Sequence, residues 1–197
     1  MTGPPTRPGR LPLVADDGGD DEDPRLAAVF DVFRKAGRGV PTLYRTLGNA
    51  PAMLQAWTGL AWPLRHDATT PRGLRELIIM RVAQLTGAPY EWLAHWDMAV
   101  RSGVTEDQLA ELGRWLGSDR FGEPEREVLA MVDELTVDVA VGDDTWARLA
   151  ARHEAGELVE LVLTTGYYAC VSRVLQALRI EPDVADDDPR LVAFTAG

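Results

Sequence analysis

The sequence predicts an all-α protein, a bundle of about seven to eight helices, on three observations. Apolar residues recur at helical spacing through most of the chain. The periodic segments are bounded by Pro, Thr and Gly in the positions that start and stop helices. No stretch sustains period-two alternation between hairpin turns.

Residues 1–23 are rich in Pro, Gly and Asp and lack periodicity, so a disordered acidic tail is expected there. Leu26, Val29, Phe30 and Phe33 then outline a first helix that ends near Gly37. Residues 40–49 read as a connector or a short helical turn. Met53, Leu54, Trp57 and Leu60 mark a second long helix, bent or ended by Pro63. The next helix is the best defined. Thr70 can cap it, Pro71 suits its first position, and Leu74, Leu77, Ile78, Val82 and Leu85 form an apolar stripe that Thr86 and Gly87 bring to a stop. Another opens at once with Pro89 in its first turn and closes at Gly103. Thr105 and Gln108 have the spacing of a capping box for a helix from Glu106 to about Trp115. Segments 124–137, 144–153 and 157–178 complete one domain over residues 24–180, and residues 181–197 form a second acidic tail. Leu74-Arg75-Glu76-Leu77 is echoed by Leu158-Val159-Glu160-Leu161, each opening a long helix after a glycine. Duplication and chance both account for an echo of four residues.

Composition removes several functions. The net charge of −11 comes mostly from the ends: Asp16, Asp17, Asp20, Asp21, Glu22 and Asp23 at one, Glu181, Asp183, Asp186, Asp187 and Asp188 at the other. Between them the chain is close to neutral and carries no basic stripe, so no nucleic-acid partner is expected. No apolar run reaches the roughly 18 residues of a membrane span, and no charged segment followed by an apolar one begins the chain. A cytoplasmic protein without a membrane partner is the expectation. Cys170 is the only cysteine, so no disulfide can close within the chain. Lying in an apolar helix, it is expected to be buried and inert.

The candidates for chemistry are few. Glu76 flanks the apolar stripe of its helix, where burial would raise a carboxylate's pKa; an exposed glutamate stabilising its helix's first turn is the alternative. Glu91 and His95 stand four residues apart on one helix, so their side chains share a face. A carboxylate beside an imidazole favours the imidazolium, and such a pair can move protons to and from carbon. The same spacing also describes a surface pair worth about 0.3–0.5 kcal/mol. Trp92 and Trp96, one position further round, either wall a pocket or belong to the core. No His-x₃-His or Cys-x₂-Cys pair points to a metal, and Glu76, Glu91 and His95 remain a minor alternative as ligands. Nucleotide-binding glycine loops and the Gly-x-Ser-x-Gly motif are absent.

Arg75-Glu76-Leu77, Leu85-Thr86-Gly87, Tyr90-Glu91-Trp92 and His95 together resemble the carboxymuconolactone decarboxylase family, whose fold is that of the alkylhydroperoxidase D proteins. The likeness extends over roughly residues 24–180. It implies a site at Glu76, Glu91 and His95, and it places the two cysteines of the family's redox branch on Ala88 and Glu91. With neither thiol present, the thiol-dependent peroxidase cycle is excluded. The resemblance implies the thiol-free branch: a cofactor-independent and metal-independent decarboxylase, lyase or isomerase acting on a small carboxylate or lactone. In that reading His95 is the general acid/base, Glu91 orients and charges it, and Glu76 is a second proton-transfer group. Arg81, Tyr90 and Trp92 are the substrate-binding candidates, with Arg81 equally well placed in a structural ion pair. The family also implies a homo-oligomer. A non-catalytic oligomer that binds a small molecule or a protein is the alternative function.

Overall fold

The structure, a computed structural model, describes residues 9–17, 22–182 and 188–195. Its regular elements among those residues are all helical: α1 (Pro24–Lys35), α2 (Thr42–Leu47), α3 (Pro51–His66), α4 (Arg72–Thr86), α5 (Pro89–Arg101), α6 (Glu106–Glu111) with a 3₁₀ turn (Leu112–Gly117), α7 (Glu123–Val137), α8 (Asp143–Arg152), α9 (Ala155–Leu178) and α10 (Arg190–Thr195). Seven of them are long, and α2, α6 and α10 have six residues each.

The centre of the molecule is α4. Instead of one apolar stripe, every residue from Arg75 to Ala83 is buried, because α5, α7 and α9 pack around it. A helix enclosed on all sides must be apolar all round or must supply partners for its charges. Here Arg75, Glu76 and Arg81 are the exceptions: Glu76 and Arg81 have ion-pair partners, and Arg75 donates to the Ala68 and Thr70 carbonyls. On one side Ile78, Ile79 and Val82 join Met131, Val132, Leu161 and Tyr168 of α7 and α9. On the other, Leu77, Met80 and Ala83 meet Trp92, Trp96, Leu109 and Trp115. A third cluster binds α1, α2 and α3 through Phe30, Tyr44 and Leu54. By length and composition α9 qualifies as a membrane-crossing helix, yet it packs against α4, α7, α3 and α8 as a core helix.

Local signals decide most boundaries. Gly87 ends α4 in the left-handed region at φ 64°, where a side chain would be strained. Thr105 and Gln108 make the reciprocal capping box at the start of α6. Gly73 lets the first turn of α4 touch the end of α5, since a Cβ there would stand 2.8 Å from the carbonyl oxygen of Ser102.

Other elements depart from the sequence reading for physical reasons. Pro63 neither ends nor breaks α3, which runs on to His66; Gly59, whose carbonyl loses its donor, faces solvent. Thr70 does not cap α4, because Arg75 Nη1 occupies its carbonyl and hydroxyl oxygens. Glu160 of α9 instead ties down the turn that leads into α4, accepting from the backbone N–H of Thr69 and Thr70 at 2.8 Å each. The helix expected from Glu106 to Trp115 divides at Glu111, and its 3₁₀ continuation kinks at Arg114.

The expected tails are partly tied down. Within 1–23, residues 9–17 run along the bundle: Val14 and Arg45 exchange backbone and side-chain hydrogen bonds, and Arg10 bonds the carbonyls of Leu178 and Ala177. Within 181–197, α10 lays Phe194 on Trp92 and accepts the indole N–H at the Arg190 carbonyl. Residues 1–8, 18–21, 183–187 and 196–197 lie outside the described residues. Cys170 is exposed rather than buried. It faces an apolar groove beside Trp57, Leu60 and Leu163, on a side of α9 that no helix covers among the described residues.

Candidate active site

The reversal at Gly87 folds α5 back along α4 and brings the second turn of α4 level with the middle of α5. His95 thereby meets Glu76, nineteen residues away in sequence. Its Nδ1 stands 2.8 Å from Glu76 Oε2, and its Nε2 stands 3.0 Å from Glu91 Oε1. The three residues are 1%, 0% and 3% exposed. Arg72, one turn before Glu76, pairs with the other Glu76 oxygen, Oε1.

Each imidazole nitrogen faces a carboxylate oxygen. With both carboxylates ionised, both contacts are hydrogen bonds only if both nitrogens carry hydrogen, which is the imidazolium. Burial by itself would push the imidazole pKa down, but the two carboxylates outweigh it and hold His95 above its ordinary value. Burial would likewise push Glu76 up; the imidazolium and Arg72 reverse that and hold it low. Charges thus alternate along Arg72, Glu76, His95 and Glu91, an arrangement that offsets the desolvation each would suffer alone. Glu91 also lies in the first turn of α5, where the helix dipole favours a carboxylate.

Aromatic residues from other helices close the site. Tyr168 of α9 meets the His95 ring edge-on, with centroids 5.1 Å apart. Its hydroxyl accepts from Arg65 Nε at 3.1 Å, and Arg65 Nη1 donates to the Tyr44 hydroxyl at 3.2 Å. Burial pushes the Tyr168 phenol well above its ordinary range, so it stays protonated. In front of this array lies a cavity of about 610 Å³. Glu91, His95, Arg65 and Arg72 reach it from one side, and Phe33, Tyr44, Trp62, Tyr90 and Met98 supply the apolar walls.

Comparisons with known proteins converge on one group. Residues 51–134, which hold the whole Arg72–Glu76–His95–Glu91 array, match the carboxymuconolactone decarboxylase family. This segment belongs to that family. An uncharacterized Bacillus subtilis (strain 168) protein, YdfG, is 29% identical over 94 residues, which are 47% of this chain; the match spans 64% of that relative's length. Among solved structures, an uncharacterized peroxidase-related protein from Silicibacter sp. TM1040 superposes with a TM-score of 0.74 at 18% identity, covering 93% of this chain and 96% of that one. The debrominase Bmp8 superposes with a TM-score of 0.72 at 21% identity, covering 89% and 94% respectively. At these identities the two structures establish the all-helical, alkylhydroperoxidase D-like fold and nothing finer.

The residues singled out from sequence divide into two groups within this family fold. Glu76, Glu91 and His95 converge, and Tyr90 lines the cavity beside them. Arg81 lies elsewhere: Asp133 of α7 holds it in a two-pronged pair at 2.6 and 2.9 Å, and the Trp115 indole donates to the same carboxylate. Its ion-pair reading is the one that fits, because α4 presents that face to α7 rather than to the cavity. Trp92 and Trp96 likewise pack in the core against Leu93 and Phe194, and Trp92 does not line the cavity. The alternative of Glu76, Glu91 and His95 as metal ligands does not suit the geometry, since both imidazole nitrogens are committed to carboxylates. Among the described residues no group of three or more His, Cys, Asp or Glu is arranged to hold a metal ion.

Four site residues escaped sequence reasoning. Arg72 had a visible signal, its i,i+4 spacing to Glu76. Arg65, Tyr44 and Tyr168 had none, for they arrive from α3, α2 and α9 only through tertiary packing.

Proposed function

We propose that the protein is a cofactor-independent acid–base enzyme, a decarboxylase, lyase or isomerase acting on a small carboxylate or lactone. The observation that carries this is a buried imidazole clamped between two carboxylates, one of which opens onto a sizeable aromatic cavity. Glu91 is the proton-transfer group nearest substrate. As a carboxylate it removes a proton from carbon beside a carbonyl, and the carboxyl so formed returns it to a different carbon. For decarboxylation the order reverses. His95 passes its Nε2 proton to Glu91, the substrate's C–C bond breaks with its electron pair left on carbon as CO₂ departs, and Glu91 protonates that carbon. Solvent then restores the proton to His95.

This division of labour differs from the one the sequence suggests. Glu76 is fully enclosed and held by both His95 and Arg72, so it is a positioning group that fixes the ring and stabilises its charge. Burial of the array keeps bulk water from the imidazole and strengthens each charge interaction. The family's redox branch has a thiol where Glu91 stands; here the single thiol, Cys170, faces a separate groove, which leaves proton transfer as the chemistry the site can perform.

The test is turnover of a panel of lactone acids and β-keto acids in D₂O, followed by NMR for carbon-bound deuterium and by CO₂ release. His95→Asn and Glu91→Gln are each expected to lose about 10²-fold or more in rate. Unchanged turnover in both variants would overturn the assignment.

A further inference from the structure

We propose that Arg65 is an anion-recognition residue of this cavity and makes the site selective for a flat, unsaturated organic acid over its uncharged analogue. The inference deepens the proton-transfer reading and rests on it only for calling the ligand a substrate.

Arg72, Glu76, His95 and Glu91 alternate in sign and cancel. Arg65 adds one further positive charge, close enough to Glu91 for the two to interact electrostatically. Arg38 lines the same cavity, so the cavity face carries an excess of positive charge that an anionic group would offset.

Arg65 is held by neutral groups. Among the described residues its guanidinium makes no ion pair; Nε and Nη1 donate to the neutral phenols of Tyr168 and Tyr44. Burying a cation against uncharged acceptors is costly unless something anionic completes the site. The two phenols fix the plane of the guanidinium. A planar fork fixed in this way suits a carboxylate better than a flexible ammonium would. Since Tyr168 also touches the His95 ring, Arg65 and the proton-transfer pair share one rigid support, so an acid anchored on Arg65 meets Glu91 in a fixed orientation. Phe33, Tyr44 and Trp62 give the cavity flat apolar walls, which favour a planar, unsaturated ligand body over a flexible one.

Benzoate and its uncharged isostere benzamide are suitable probes, titrated calorimetrically into the full chain. Benzoate is expected to bind wild type at least tenfold more tightly than benzamide. Arg65→Met should remove that preference, Arg65→Lys should restore part of it, and benzamide binding should change little in either. Benzoate binding therefore reports on the anchor and turnover of the His95 variant on the proton-transfer reading, and each can fail alone. Should Arg65→Met not fold, Arg65→Gln serves in its place, and the wild-type comparison stands without either. Equal binding of the two probes to wild type, no benzoate binding, or an undiminished benzoate preference in a neutral Arg65 variant would each overturn the proposal.

Discussion

His95 Nδ1 and Glu76 Oε2 lie 2.8 Å apart in the interior, one on α5 and the other on α4, with neither side chain open to water. A pair in that position joins two helices and also sets the state of the imidazole. Breaking it by removing one partner leaves an uncompensated buried charge, which costs far more than the pair contributes over an apolar replacement.

Glu76→Gln tests that asymmetry. It keeps the shape but leaves Arg72 and the imidazolium facing a neutral amide. A loss of about 3 kcal/mol in unfolding free energy is expected, measured by urea denaturation at pH 6. His95→Asn in the same background should then cost less than it does in wild type, because its charge partner is already gone. Additive losses would mean that the two residues are not energetically coupled.

The pH dependence follows from the two shifts. His95 has its pKa raised in the folded state, mainly because the Glu76 and Glu91 carboxylates overcome its burial, so its contribution is full below its ordinary value of 6.5 and fades as pH rises through the folded value. Glu76 has its pKa lowered against its own burial, so its contribution is full above its ordinary value of 4.5 and fades as pH falls through the folded value. The pair is therefore worth most between those two ordinary values. Stability of wild type relative to His95→Asn should be level in that window and fall on the alkaline side. A difference that grows above pH 7 would contradict the assignment of a charged imidazole.

Much of this arrangement was legible in the sequence, and the physical reason is locality. Gly87, Pro89 and the Thr105–Gln108 box act within a few residues, so their spacing already states what they do. Glu91 and His95 share a face for the same reason. Whether that face was wet or buried was not decided locally, because burial depends on α9 and its Tyr168. The C-terminal acids looked like a solvated tail until α10 covered Trp92, a contact between residues nearly a hundred positions apart. Cys170 shows the converse: an apolar helix suggested burial, and only the absence of a covering helix among the described residues exposes it.

Arg81 provides the sharpest separation between a structural charge and a functional one. Its guanidinium makes two short contacts to Asp133, and the same carboxylate accepts the Trp115 indole, so three elements meet there. None of these residues lines the cavity. Arg81→Met leaves Asp133 short of its cation; that carboxylate retains some solvent exposure, which reduces the penalty below that of a fully enclosed pair. A loss of about 2 kcal/mol in unfolding free energy is expected, with the packing of Trp115 loosened and its fluorescence shifted to the red. Benzoate affinity at a temperature where the variant is folded should stay within twofold of wild type. If Arg81→Met instead weakened benzoate tenfold while stability held, the charge on α4 facing α7 would be reaching the ligand by a route that the helix geometry does not provide.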